Sequence, residues 1–312
     1  MTSNNQTTSH KSSLVLLNLP VTAALVFANL ICFYTLVINA QRGSSSLKPN
    51  QEQQDQQPPL QVNVENIQAA KNYKLLLIAT GNDLESEAFE RFNRSVKSFN
   101  LSLVALDLKQ IPYSKDIDAL ERLKFLEYKK ALSNYKSEDN LIIILLDGES
   151  AIVNGQETTI LSRFFGLGAR LLVAADDICW PDCSKSSVGG QYPKTGGSPY
   201  LNSHAIIGYA SVLWEVLNIA DVGHEDKLMS PDDTLQTYLS KIYLDPDYRA
   251  KFGIKLDHKA AIIQTVHLDT ADSQIKLDIG QDIARLRNLV YNTEPVIAIG
   301  SVAGDVGSWV SC

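Results

Sequence analysis

The chain has 312 residues, 45% of them hydrophobic, enough for one substantial core with appended segments. A formal charge of -7 at pH 7 argues against a general nucleic-acid binder, whose phosphate contacts need a basic surface. Four cysteines, with no second Cys or His pair at ligand spacing, argue against a disulfide-dense scaffold and a structural zinc site.

After a short tail, residues 1–13, the stretch 14–40 is mostly apolar, and no charged residue stands between Lys11 and Arg42. It exceeds the roughly 20 residues that cross a bilayer. We read it as an uncleaved transmembrane signal-anchor, with a cleaved signal peptide ending at Ala28 or Ala40 as the rival. Flanking charge leaves orientation open, since Lys11 precedes the segment and Arg42 and Lys48 follow it. Residues 41–72 include a Gln-rich run at 51–59 that cannot pack a core, so a flexible stem is expected. Two Asn-x-Ser sequons, at Asn93 and Asn100, favour a lumenal body. Anchor, stem and a globular domain at residues 73–312 are the layout of a single-pass type II membrane protein of the endoplasmic reticulum or Golgi. Cleavage would make it secreted.

From residue 73 onward, strand and helix patterns alternate. Residues 74–80 read as a strand, 84–99 as a helix, 101–106 as a strand and 117–135 as a Lys-, Glu- and Leu-rich helix. Six consecutive aliphatic residues, 141–146, then stop at Asp147. Such a run fits a strand buried on both faces of a sheet, and the position past its carboxyl end is where open α/β sheets hold ligands. A carboxylate there suits either a divalent cation set against a nucleotide diphosphate or the cap of the next turn. A helix at 158–165 and a strand at 170–175 complete a βαβαβαβ order. That order predicts an α/β fold with a Rossmann-like, mostly parallel sheet and helices on both faces.

The second half has shorter elements. Residues 179–199 are rich in Gly, Ser and Pro and read as a long surface loop, in which Cys179 and Cys183 stand close enough to bridge across a turn. A strand at 205–209 runs into a helix at 210–220. A helix at 234–243 is entered through Ser230, Pro231, Asp232 and Asp233, and strands follow at 259–266 and 274–277. One compact α/β domain is the simplest account.

The run Ala-Ala-Asp-Asp-Ile-Cys-Trp-Pro-Asp at 174–182 begins an ordered block of motifs. It continues through Gln191-Tyr192-Pro193, Tyr200 to Ser203, Ile207 to Ala210, Ile242 to Pro246, Leu256 to Lys259, and Ile263-Gln264. In this order and spacing, the block resembles the glycosyltransferase domain of the procollagen lysyl hydroxylases (the PLOD family). More distantly, it is similar to the collagen galactosyltransferases. A weaker match runs back through the Asp147 strand to Lys74.

The resemblance implies a type-A glycosyltransferase fold that moves a galactosyl or glucosyl unit from a UDP-sugar to a hydroxylysine or glycan acceptor, such as a collagen-like protein. It also implies Mn2+, which would neutralise charge on the leaving UDP. Residue by residue, Asp147 matches the first carboxylate of the family's Asp-x-x-Asp motif, and Ser150 replaces the second. Glu149 would substitute if the backbone turned differently. Ile299 replaces the family's metal-binding histidine, and Asp305 replaces its phosphate-contacting lysine. Thr80, Trp180 and Asn202 match donor-binding positions, and Asp232 and Asp233 the substrate-side carboxylates; Thr234 and Leu235 thin the acidic run before Gln236. His204 falls where the family has glycine, and is a candidate replacement ligand.

Serine is a much poorer manganese ligand than a carboxylate, and an aspartate repels a diphosphate. The expected Mn2+ site is therefore degenerate. Two functional readings stay open: a membrane-anchored hexosyltransferase, and a catalytically inactive relative acting as a binding or scaffold module. Trp180, Asn202, Asp257 and Gln264 fit structural roles as well as functional ones, and for His258 the structural role is favoured.

Overall fold

A strand buried on both faces must sort its alternate side chains into two separate cores. The strand Leu141–Asp147 does so: Ile142, Ile144 and Leu146 join one hydrophobic cluster, and Ile143 and Leu145 join another. The computed structural model describes residues 64–109, 117–180, 188–219, 233–267, 274–279 and 284–300. The expected anchor at 14–40, most of the stem, Cys183, Asp232 and Asp305 lie outside them. Among the described residues, no helix is long and apolar enough to cross a membrane.

The elements in chain order are α1 (Val64–Ala70), β1 (Lys74–Gly81), α2 (Glu87–Ser98), β2 (Ser102–Asp107), α3 (Ile117–Leu132), β3 (Leu141–Asp147) and β4 (Ala151–Val153). They are followed by α4 (Glu157–Leu167), β5 (Leu171–Asp176), β6 (Tyr200–Tyr209), α5 (Ala210–Leu217), α6 (Leu235–Leu244) and α7 (Pro246–Phe252). The last are β7 (Ile254–Leu256), β8 (Ile263–Val266), β9 (Ile275–Ile279), β10 (Ala284–Asn288) and β11 (Ile297–Gly300).

The central sheet has the order β2-β1-β3-β6-β5-β7. β6 runs antiparallel to both β3 and β5, while the β1–β2, β1–β3 and β5–β7 pairs are parallel. The mixed α/β expectation and the mostly parallel sheet both hold. β6 stands between β3 and β5. β6 also starts at Tyr200, five residues before the expected 205. Asn202, Ser203 and His204 break the apolar run; Asn202 pairs with Ala174, and Ser203 and His204 fall in the register shift between that pair and Val173↔Ile206, where their backbone amides donate to Gln236 Oε1 and Asn202 Oδ1.

Further corrections follow from local chemistry. α1 falls within the expected stem and is tied to the domain by Ala70, buried in the first core. α7 was not anticipated, although its signals are plain: the Asp245 side chain accepts from Asp247 N and Tyr248 N, Pro246 opens the helix, and Gly253 closes it at φ 59°. The helix at 235–244 starts at an N-cap formed by Thr234, whose side chain accepts from Thr237 N. The expected strand at 259–266 is a strand only from Ile263. Ahead of it the chain wraps around Asp257, whose carboxylate accepts from the amides of Ala261, Ile262 and Ile263 at 2.7, 2.8 and 2.8 Å. β9 pairs with β10 in an antiparallel hairpin.

Two features place the carboxyl edge of the sheet. Gly81 and Gly148, just at the ends of β1 and β3, lie under the Phe89 ring of α2, where an added Cβ would stand 2.7 and 2.6 Å from its carbons. Glycine therefore lets α2 close over that edge. A three-stranded sheet, β4-β11-β8, then brings Ile299 opposite Ala151, and Gly300 N donates to Ser150 O at 2.8 Å.

Asp257→Ala would orphan three buried amides at a cost of about 3 kcal/mol. The melting temperature should fall by about 6–12 °C for a domain of this size, as measured by calorimetry. A fall below about 2 °C would mean that the loop is held by other contacts.

Candidate functional site

Asp147 ends β3 opposite Thr80 of β1, on the side of the sheet that carries Ile143, Leu145 and Ile78. α3 crosses this side. Its residues Glu121, Lys124 and Tyr128, at i, i+3 and i+7, share one helical face, which here is turned inward. Tyr128 donates its hydroxyl to Leu146 O at 2.7 Å and lies 3.2 Å from Thr80 Oγ1. Thr80 is thus buried and hydrogen-bonded to the helix.

One turn away, Lys124 Nζ stands 2.7 Å from Glu121 Oε1 and 2.9 Å from Asp147 Oδ2. The side chains of Lys124, Glu121 and Asp147 are 5%, 11% and 19% exposed respectively. Burial alone would discharge the lysine and protonate the aspartate. The ion pair outweighs it: Lys124 is held well above 10.5, and Asp147 is held below 3.8 by the Lys124 ammonium.

The β3–β6 ladder ends at Leu146↔Ala205, so His204 is the next residue toward Asp147. Burial, with the Lys124 charge beside it, lowers the pKa of His204 below 6.5 and leaves the ring neutral at pH 7. Its Nδ1 is buried, with no hydrogen-bond partner among the described residues.

A second cluster sits at the end of β5. Asp176 Oδ2 accepts from Asn202 Nδ2 at 3.0 Å, and Oδ1 is 2.8 Å from His267 Nε2 and also accepts from Ile178 N. Burial pushes Asp176 upward, but these bonds hold it below its ordinary value. Asn202 is therefore joined to a carboxylate that sequence reasoning did not single out. The signal available was the position of Asp176, just at the carboxyl end of an apolar strand, as for Asp147.

The other expected residues are placed as follows. The Glu149 carboxylate is turned to the β1–α2 loop, where it accepts from Asp83 N and Ser86 Oγ, each at 3.2 Å. Burial and the neighbouring Asp147 charge raise its pKa. Ser150 Oγ donates to the Asp147 carbonyl at 3.3 Å. Ile299 is packed in the first hydrophobic core. Asp233 forms a two-oxygen ion pair with Lys241 Nζ, at 2.9 and 2.7 Å. The Trp180 carbonyl accepts from Gln236 Nε2 at 3.3 Å, and the same amide donates to Leu201 O while Gln236 Oε1 accepts from Ser203 N. Gln236 thereby pins α6 to β6. His258 Nδ1 contacts Ser198 O at 2.7 Å and Thr195 Oγ1 at 3.3 Å, a loop-holding role.

A divalent cation needs several oxygen or nitrogen donors around one point. Among the described residues, no group of three His, Cys, Asp or Glu side chains provides this. At Asp147 the neighbour is an ammonium, the Ser150 hydroxyl is neutral, and Ile299 has no donor atom. These residues do not fit Mn2+.

A family model described as the PLOD GT domain matches residues 70–305. The chain belongs to this glycosyltransferase-domain family. It is 30% identical over 235 residues to the multifunctional procollagen lysine hydroxylase and glycosyltransferase LH3 of Homo sapiens, covering 74% of this chain and 30% of that protein. The procollagen-lysine,2-oxoglutarate 5-dioxygenase of Drosophila melanogaster is 30% identical over 219 residues, covering 69% and 29%. The PLOD-type chain thus spans about a third of the length of these relatives. A crystal structure of a glycosyltransferase involved in the glycosylation of the major capsid of PBCV-1 matches with a TM-score of 0.46 and 11% identity, covering 76% of this chain and 97% of that one.

The ion pair sets a pH window. The depressed Asp147 contributes stability above pH 3.8 that is lost as pH falls through its folded value, and the raised Lys124 contributes below 10.5 and loses it as pH rises further. Asp147→Asn should therefore cost about 2 kcal/mol at neutral pH, less than a fully buried pair would. Denaturant titrations of the two proteins should converge as the pH drops below 3.8. A deficit that stays constant down to about pH 2 would mean that the substituted amide disturbs packing rather than charge.

Proposed function

We propose that this chain is a membrane-anchored, lumenal, glycosyltransferase-like protein that retains sugar recognition and has lost metal-dependent transfer. The observation that carries this reading is the Asp147 carboxylate, engaged by Lys124 at 2.9 Å, with Ile299 packed in the core where the family's histidine is expected. The polar groups left at the carboxyl edge are the Asp176–Asn202 pair and the His204 ring, whose Nδ1 has no partner among the described residues. A collagen-like protein or a glycan is the class of partner that the family relationship suggests.

A second reading is favoured by the retained strand-end residues Asp147, Thr80 and Asn202. It is a galactosyl- or glucosyltransferase moving the sugar of a UDP-sugar to a hydroxylysine or glycan acceptor. Release of UDP from UDP-galactose and UDP-glucose by the purified chain, with and without Mn2+, separates the two. The first reading expects no release above buffer. Turnover that falls at least about 100-fold in Asp147→Ala would instead establish the transferase.

Placement in the secretory lumen is supported by the apolar segment 14–40, the polar stem and one well-presented sequon. Asn100 is exposed at φ 52° in the α2–β2 turn, and Ser102 is exposed beside it. Asn93 lies within α2, and its Ser95 is buried, donating to Phe92 O and accepting from Val153 N. Expressed in a secretory host, the chain should carry one endoglycosidase-sensitive glycan, lost in Asn100→Gln and kept in Asn93→Gln. An unmodified wild-type chain would count against lumenal placement.

A further inference from the structure

We propose that the glycan at Asn100 guards the open edge of the central sheet, so that strand β2 does not pair with β2 of a second copy of this chain. This rests on the lumenal placement proposed above and gives the Asn100 modification a physical task.

The two edges of the sheet are built differently. β2 and β7 are the outer strands of the order β2-β1-β3-β6-β5-β7. An edge strand leaves a row of unpaired N–H and C=O groups, and proteins blunt such edges by shortness, lysine, proline or bulges. β7 is only three residues long and has the exposed Lys255 at its centre. β2 has six residues, and among the described residues it pairs with β1 alone. It contains no lysine or proline, and its register with β1 runs unbroken from Ser102 to Asp107. The one charge in the strand, Asp107, stands at its last position. Lys109 lies beyond the strand, beside Asp83 and Asp107.

The side chains of β2 leave this edge apolar. Leu103 packs at the margin of the first core, and Val104 and Leu106 at the margin of the second, all three only partly buried. Ala105 between them is exposed. An uncharged apolar run on an open edge is the composition that invites strand addition.

A second copy fits this edge. Two edges related by a two-fold axis present the same surface to each other, and their strands run antiparallel. With the axis between Val104 and Ala105, Ser102 of each copy stands opposite Asp107 of the other. The two Asp107 carboxylates then lie at opposite ends of the joined sheet, and no like charges face each other. The same register sets Asn100 opposite Lys109 of the second copy. Paired strands are about 4.7–4.9 Å apart, so a bulky glycan in the exposed turn at Asn100 collides with the incoming chain. By symmetry the collision occurs at both ends of the pairing.

The test uses the whole chain, made in a secretory host and purified in detergent. Ser102→Ala removes the acceptor sequence while leaving Asn100 in its turn. Light scattering at about 50 μM, enough to populate a contact with a Kd near 10 μM, should show the protein mass rising about twofold over wild type. Adding Ala105→Lys, which sets a charge on the edge, should return it to the wild-type value. Should Ser102→Ala fail to fold, enzymatic removal of the glycan from folded wild type must give the same rise. An unchanged mass after loss of the glycan would overturn the guard. So would a rise that Ala105→Lys leaves in place, because the contact would then lie elsewhere. A wild-type chain with no endoglycosidase-sensitive glycan would overturn the lumenal reading, and this inference with it.

Discussion

A carboxylate at the end of a strand buried on both faces must have its charge met, and in this molecule the chain itself meets it. β3 carries Asp147 to the carboxyl edge, where water is largely excluded by α3 and β6. Lys124 answers from one side, Glu121 balances the lysine, and Tyr128 ties the same helix to the last carbonyl of the strand before Asp147. The register of β3, the rotation of α3 and the approach of β6 are all bound by this cluster. A one-residue slip of β3 would turn Asp147 away from α3 and into the first core, beside Phe89.

The consequence is a site whose parts have separated. In a metal-dependent transferase, carboxylates and a histidine converge on one ion. Here the carboxylate has an internal counter-ion, the hydroxyl of Ser150 folds back on its own turn, and Ile299 has joined the core through its pairing with Ala151 and Thr265. Yet β11 still arrives where a ligand would be delivered, since Gly300 N bonds to Ser150 O. The Asp176–Asn202–His267 cluster shows the other half of the edge, built from hydrogen-bonded polar groups with buried partners.

Several buried polar residues that invite functional interpretation carry structure. Asp257 gathers three amides, Gln236 clamps β6 to α6, Gln264 accepts from Asn288 at 2.6 Å, and His258 holds the 195–198 loop. Gly197 belongs to that loop because an added Cβ would sit 2.1 Å from the His258 carbonyl. Such residues make an ordered motif block recognisable in sequence through the buried polar groups that they satisfy.

The amino-acid sequence by itself determined the alternation of strands and helices from residue 74 to residue 176, the doubly buried β3 and the family relationship. Aliphatic runs and their spacing are local, and the pattern of burial follows from them. α7 was also legible, through Asp245, Pro246 and Gly253, but its seven residues were too short to stand out. The place of β6 and the meaning of α3 were decided by tertiary structure. Asn202, Ser203 and His204 look like loop residues until Asp176 and Gln236 are brought beside them. Glu121 and Lys124 look like a solvated helix face, because an inward charge is stable only when a partner distant in sequence, here Asp147, is placed 2.9 Å away.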